Sequence, residues 1–387
     1  MRSVSVIGIG ETRLGKLPDY SLADMIREAG NKAIADAGLE PKDIGAAYIG
    51  NYNGSFLCNQ SHLSAMTTET LGLGNIPVTR VEAACASGGE ALRQGYIGII
   101  SGLYDIVLVG GVEKMTHKAT NFVTEAIATA MDYEKESMAG MTFPGCFAMI
   151  ANRYFHEYRN VKKEMAMCAV NAHHNACLNP DAQIHKEIDI DTVLEADLIA
   201  SPFSLYDCSL VTDGAVFAVL AATDIAEKWS RHRIVEIAGS GHAGDILTLY
   251  GKKDITTFKV TLAAAKEAYD NAGMKPDDID FAEVHDCFTI TQIINTEDLG
   301  FFEKGKGADA VVEGATRIEG KKPINPSGGL KAKGHAIGAT GISQIYELVT
   351  QIRGDAGSRQ LKKANIGLAH NLGGAAGTCT VHILKGR

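Results

Sequence analysis

Apolar and polar positions along the chain follow two alternating periods. Val4-Ser5-Val6-Ile7 reads as a short strand closed by Gly8 and Gly10. Ser21 to Ala37 carries apolar residues at helical spacing, with Ser21 placed to cap the start and Gly38 just past the end. Ala46 to Ile49 is a second strand, and His62 to Leu71 reads as a helix after an Asn- and Gly-rich turn. Val78 to Val81 is a strand entering a tight turn, followed by a helical pattern through Leu92, Tyr96, Ile99 and Ile100. The apolar strand Ile106 to Val109 ends at Gly110-Gly111. This alternation predicts an α/β fold with a largely buried sheet.

The pattern changes after Val112. From Lys114 to about Phe203, Met, Thr, Phe and His cluster and strand signals are few. This predicts an inserted, mainly helical region at about 114–205, with helices over Cys146–His156 and Lys163–Ala176. Met138, Met141, Phe143 and Phe147 are its candidates for lining a substrate pocket. Sheet character returns with Asp213-Gly214-Ala215 and the strand Val216 to Leu220. Lys228 to Arg233 marks a boundary and reads as a solvated linker or a phosphate site.

The second half echoes the first. Ala33 to Ile44 and Ala268 to Ile279 share Ala, Ala-Gly, Pro and Asp-Ile in register, and each is followed by a strand. The repeat implies a duplicated half, residues 1–230 with the insertion and residues 231–387. Packing about a pseudo-twofold axis would let strand ends from both halves converge.

Four stretches carry chemistry. Cys85 lies between strand and helix in Glu82-Ala83-Ala84-Cys85-Ala86-Ser87-Gly88-Gly89. A thiol there faces unpaired amides and the positive helix end, which favour thiolate. A nucleophile and a buried small hydrophobe stand about even on this evidence. The strand Phe281 to Val284 runs into His285-Asp286-Cys287-Phe288, where imidazole and thiol can share a side. Gly334-His335-Ala336 sits in a Gly-rich run before the helix Ile342 to Ile352, and His335 is a candidate base for Cys85. Asn365 to Ala369 leads into His370-Asn371-Leu372-Gly373-Gly374, whose amides could form an oxyanion site or simply a turn.

Composition narrows the class. The 387 residues are 45% apolar and 21% charged, ordinary for a globular protein large enough for two domains. A net charge of −9, with no basic run, argues against nucleic acid as a partner. No apolar run is long enough to span a bilayer, and the opening residues read as a strand, not a leader. The eight cysteines lack metal-type spacing, which points to reduced thiols in the cytoplasm and to no metal.

Taken together these motifs resemble the thiolase superfamily, in family order and over essentially the whole chain. Cys85-Ala86-Ser87 is similar to its nucleophile motif and Gly334-His335-Ala336 to its Gly-His-Pro motif. His285-Asp286-Cys287-Phe288 resembles the form in sterol-carrier-protein-2-type and archaeal-like thiolases. Asn371-Leu372-Gly373 stands where most thiolases have Cys-x-Gly, so the resemblance passes the second catalytic thiol to Cys287, with Cys379 as competitor. It implies two βαβαβ-type halves in a five-layered α/β/α/β/α core with a loop domain over the substrate. It also implies Claisen condensation of acyl-CoA, or CoA-dependent thiolysis of a 3-oxoacyl-CoA. Acyl-Cys85 would be the intermediate, with His285, Cys287 and His335 catalytic and the amides of Cys85 and Gly373 as oxyanion hole. CoA would be substrate and product, with no tightly bound cofactor. The expected assembly is a homodimer or homotetramer, with a small zinc-ribbon/OB-fold protein as a further partner. Alternatives are a thiolase for larger, branched or aromatic chains, a ketoacyl-synthase-like or hydroxymethylglutaryl-CoA-synthase-like enzyme, and a non-catalytic scaffold that binds acyl-CoA.

Overall fold

The computed structural model describes residues 2–387. The first half runs β1 (Val4–Glu11), α1 (Leu22–Asp36), β2 (Ala46–Gly50), α2 (Gly54–Leu57), α3 (Leu63–Leu71), β3 (Val78–Val81), α4 (Ser87–Ile100) and β4 (Ile106–Glu113). Between β4 and the strand that completes this half lie α5 (Thr120–Ala128), α6 (Phe143–Glu157), α7 (Lys162–Cys177), α8 (Ile190–Leu194) and a hairpin of β5 (Leu198–Ala200) with β6 (Phe203–Ser204). Then come β7 (Gly214–Ala222), α9 (Thr223–Trp229), β8 (Val235–Gly244), α10 (Lys259–Ala272) and β9 (Phe281–Glu283). The chain closes with α11 (Thr289–Asp298), α12 (Gly307–Val312), α13 (Gly329–Ala332), α14 (Thr340–Arg353), β10 (Ile366–Gly373) and β11 (Thr378–Gly386).

The duplication is visible in the strand order, β3-β2-β4-β7-β1-β8-β11-β10-β9. β1 and β8 meet antiparallel at the centre, where Ser5 faces Glu236 and Val6 faces Val235. Outward from that seam, each half adds two antiparallel pairings and then a parallel one. A lone parallel bridge from Ala282 to Ile324 stands where the first half has β3. Helices α1 and α10 end alike, with Gly38 at φ 70° and Gly273 at φ 63°, and a short 3₁₀ turn beginning at Pro41 or Pro276 follows each. The chain segment leading into α14 is therefore the counterpart of the Cys85 elbow leading into α4.

Side-chain alternation along the strands builds the five layers. Phe217 and Val219 of β7, with Ile7, pack on Met25, Ile26 and Ala33 of α1. Val216, Ala218 and Leu220 face the other way, onto Leu92 and Ile99 of α4 and Ile342 and Ile345 of α14. Phe281, Ala369 and Leu384 of the second half cover the opposite side of that same helix pair. Their neighbours Ala282, Leu368 and Ile383 face Val260, Ala264 and Ala268 of α10. Ile345 and Leu348 are fully buried between the sheet halves, where each contributes roughly 1.5–3 kcal/mol by leaving water.

Two expectations change. Gly8 and Gly10 do not end β1, and Gly110 and Gly111 do not end β4; the strands run through them. A Cβ on Gly8 would sit 2.2 Å from the Ala33 carbonyl, and one on Gly111 2.1 Å from the Gly338 carbonyl. These glycines admit close neighbours rather than turns. Likewise β10 extends past Ala369 through His370 and Asn371, because β11 pairs with it as far as Gly373–Thr378. The segment 228–233 is largely exposed, as a solvated linker would be, and is tied to both halves. Arg233 donates to the Ile352 carbonyl and the Asn365 side chain, and His232 pairs with Asp36 at 3.1 Å.

Candidate active site

The glycines of the two central helices decide where their N-termini meet. A Cβ on Gly341 would lie 2.1 Å from the Gly89 amide nitrogen, and one on Gly88 2.9 Å from the Gly338 carbonyl. With no side chains between them, α4 and α14 bring the Cys85 elbow against the His335 loop. Ala84, at φ 50°, turns the chain just before the cysteine. The Ser87 hydroxyl braces the elbow, accepting from the Ala83 amide and donating to the Ala84 carbonyl.

The structure brings Cys85, His285 and His335 together. The thiol sulfur and one nitrogen of each ring all lie within 4.8 Å of one another. The two imidazoles meet edge to face, with centroids 5.3 Å apart. Among the described residues, these three form the one trio of His, Cys, Asp and Glu side chains close enough to share a metal ion. Cys85 keeps a partly exposed surface, whereas His285, Cys287 and His335 are buried. A cavity of about 350 Å³ adjoins the elbow, lined in part by Ala84, Met131, Leu247 and Gly374.

The His335 tautomer follows from its partners. Thr340 Oγ1 donates to the Ala336 carbonyl at 3.1 Å, so its one proton is used. Satisfying both contacts assigns the 2.7 Å contact between His335 Nδ1 and Thr340 Oγ1 as an Nδ1–H donating to oxygen. Nε2 is left as a bare acceptor, the form a base needs. Burial holds His335 down to about 3, so it stays neutral through the physiological range.

The thiolate expectation is corrected here. Cys85 sits two residues ahead of Ser87, the first residue of α4. Burial pushes its thiol up to about 12, against the lowering effect of the Gly374 amide and its own. The resting pair is therefore thiol and neutral imidazole. Iodoacetamide alkylation of Cys85 is expected to accelerate roughly tenfold per pH unit from about pH 6 to pH 9, with no plateau. A plateau near neutrality in peptide mass analysis would show a preformed thiolate–imidazolium pair instead.

The other expected residues divide. Cys287 lies two residues before α11, beside the Thr291 hydroxyl and the Phe288 amide. Burial pushes its thiol well up, and Cys85 and Asp286 add to the effect. The segment between the inserted region and β7 holds it in place, since the Ser209 amide donates to the Cys287 carbonyl at 2.9 Å. Burial also holds His285 well below the usual histidine range, helped by His335 and His370. Gly373 ends β10, and a Cβ on it would lie 2.4 Å from the Ala83 carbonyl. The amide that reaches the Cys85 sulfur belongs to the next residue, Gly374. Cys379 is not in the cluster; its sulfur lies 3.9 Å from the Thr261 hydroxyl, on the α10 side of the sheet. Of the suggested pocket residues, Met138 is 71% exposed, and Phe147 is core, stacked 4.9 Å from Phe288.

Two contributors escaped the sequence reading. Thr340 had no signal beyond its place at a helix start. Glu113 had one, a carboxylate closing a buried apolar strand. It accepts from the amides of Tyr52, Asn53 and Gly338 and from Asn51 Nδ2, tying the β2 and β4 ends to the His335 loop. Burial raises its carboxyl to about 7 despite these donors.

Relatives carry the same architecture. Residues 4–224 match the thiolase N-terminal domain and residues 241–386 the thiolase C-terminal domain-like family. An acetyl-CoA acetyltransferase of Methanothermobacter thermautotrophicus is 47% identical over 385 residues, covering all of both chains. Rabbit sterol carrier protein 2 is 33% identical, over 98% of this chain and 71% of that one. The Ltp2–ChsH2(DUF35) aldolase structure superposes with a TM-score of 0.87 at 24% identity, over 99% of this chain and 98% of that one. With two family domains spanning nearly all of it, the chain belongs to the thiolase family of acyltransferases.

Proposed function

We propose that the chain is an acetyl-CoA C-acetyltransferase working through acyl-Cys85, with His335 as its base, Cys287 as the second proton carrier and His285 as a charge-stabilising donor. The observation that carries this reading is the Cys85–His285–His335 cluster, with the bare Nε2 of His335. The 47% identity to an acetyl-CoA acetyltransferase favours acetyl as the group carried.

In thiolysis, Cys85 Sγ attacks the 3-keto carbon of acetoacetyl-CoA and its proton passes to His335. The C2–C3 bond breaks, and the departing carbanion of acetyl-CoA takes the Cys287 proton. CoA thiol then attacks acetyl-Cys85 and gives its proton to the Cys287 thiolate. Cys85 leaves as thiolate and recovers its proton from His335. Every group ends as it began, and condensation is the same path reversed. The raised Cys287 thiol keeps its proton at neutral pH until a carbanion needs it. The amides of Cys85 and of the Gly373–Gly374 turn support the oxyanion at the acyl carbon.

The setting that goes with this reading is a cytoplasmic homo-oligomer in lipid metabolism. No helix among the described residues is long and apolar enough to cross a membrane. A small partner subunit is a second element, suggested by the DUF35-containing complex among the structural relatives. The test is CoA-dependent loss of the 3-oxothioester absorbance of acetoacetyl-CoA with the purified chain. Cleavage lost in Cys85→Ala supports the reading. Acylation of Cys85 without cleavage would give the chain a different acyl group or a required partner, and the absence of both reactions would overturn the reading.

A further inference from the structure

Asn371 occupies the position where the usual thiolase pattern has a catalytic cysteine, and its side chain is buried at the meeting point of the two halves. Its amide oxygen accepts from the Gly89 N–H at 3.3 Å. Its amide nitrogen donates to the Cys85 carbonyl at 2.9 Å. The first partner can only donate and the second can only accept, so the amide has one orientation. The same NH₂ group lies 3.2 Å from His285 Nδ1. Because that group carries only hydrogens, Nδ1 must be the bare nitrogen and Nε2 must carry the proton. The His285 backbone is fixed separately, its amide donating to His370 Nδ1 at 3.4 Å.

The space for this amide is built in. A Cβ on Gly341 would lie 2.4 Å from Asn371 Oδ1, and one on Gly89 3.1 Å from it. The glycines that let the central helices approach also leave the slot that Asn371 fills.

We propose that Asn371 is a positioning residue that holds His285 as its Nε2–H tautomer, so that His285 presents a proton donor where His335 presents a bare nitrogen. One ring then serves as hydrogen-bond donor to an enolate oxygen and the other as base. The two neutral imidazoles, 5.3 Å apart between centroids, hold opposite tautomers because Asn371 sets one and Thr340 the other. The catalytic consequence rests on the thiolase reading above; the tautomer itself does not.

The test uses the full chain with ¹⁵N-labelled histidine and the variants Asn371→Asp and Asn371→Ala. The His285 resonances are assigned by their loss in His285→Gln. In the unsubstituted chain, His285 Nδ1 is expected at the shift of a bare ring nitrogen and Nε2 at that of a protonated one. In Asn371→Asp the carboxylate accepts from Nδ1, so the two shifts are expected to exchange or to merge as imidazolium. Condensation is expected to fall ~10²–10³-fold, as when one oxyanion donor is removed, with acylation of Cys85 within a few-fold of the unsubstituted chain. A protonated Nδ1 in the unsubstituted chain overturns the proposal. So does an unchanged His285 spectrum together with unchanged condensation in Asn371→Ala. If the unsubstituted chain neither acylates nor condenses, the thiolase reading fails, and the ¹⁵N spectrum still decides the tautomer.

Discussion

Cys85→Ala is expected to leave no acyl-enzyme detectable by intact mass after incubation with acetyl-CoA. CoA-dependent cleavage of acetoacetyl-CoA should fall by at least ~10⁴-fold, the scale on which loss of a covalent nucleophile is felt. The sulfur is the atom that forms the bond, and no other thiol takes its place. Cys379 lies beside Thr261, away from the cluster. Cys287 has its own position before α11. The variant should fold, because the cysteine keeps a partly exposed surface and the elbow is braced by Ser87. Retained His335 and Gly374 would then have nothing to activate. Label appearing on the alanine variant at the unsubstituted rate would move the nucleophile elsewhere and undo the mechanism.

Cys287→Ala separates the two half-reactions. It should still accept an acetyl group on Cys85, since attack uses His335 Nε2 and the amides around the sulfur, and CoA, with an ordinary thiol pKa, can leave as thiolate without the Cys287 proton. Condensation, and exchange of the acetyl-CoA methyl protons with deuterated water, should drop by ~10²–10⁴-fold, the range for loss of a general acid–base group. The thiol and its proton are what the alanine removes; its neighbours Thr291 and Phe288 remain. Cys379→Ala is the matched control and should keep both half-reactions. The reverse result, with Cys287→Ala condensing normally and Cys379→Ala failing, would give the proton to the wrong thiol in the present mechanism.

The repeated Ala-Gly, Pro and Asp-Ile spacing was legible because it encodes local structure. A left-handed helix end, a 3₁₀ turn and a strand follow one another within a dozen residues in both halves. The strand–turn–helix elbow at Cys85 was legible for the same reason. What could not be read depended on partners far away in the chain. Gly111 looks like a strand terminator until Gly338 is placed against it. The helix-terminus argument for Cys85 named an effect of the right sign, but burial outweighs it. Asn371 could be read as a missing cysteine but not as a bridge, because Cys85 and Gly89 lie 286 and 282 positions away.

The seam between β1 and β8 has a kinetic consequence. β1 is made first, yet its partner strands β7 and β8 come late; the hydroxyls of Ser5 and Thr223 that meet there are 218 positions apart. Closing loops of that length costs entropy before any contact returns it, so a chain of this topology folds slowly. The first half alone would leave part of the inner face of its sheet open to solvent, because α4 covers that face only together with α14, which lies near the end of the chain. A ribosome must therefore emit nearly the whole polypeptide before that inner face can close. Cys85 and His335 become neighbours only at that last stage, so acylation competence is a clock for the completion of folding. In a refolding time course it should rise with the slowest phase of burial, after the helical signal has already returned.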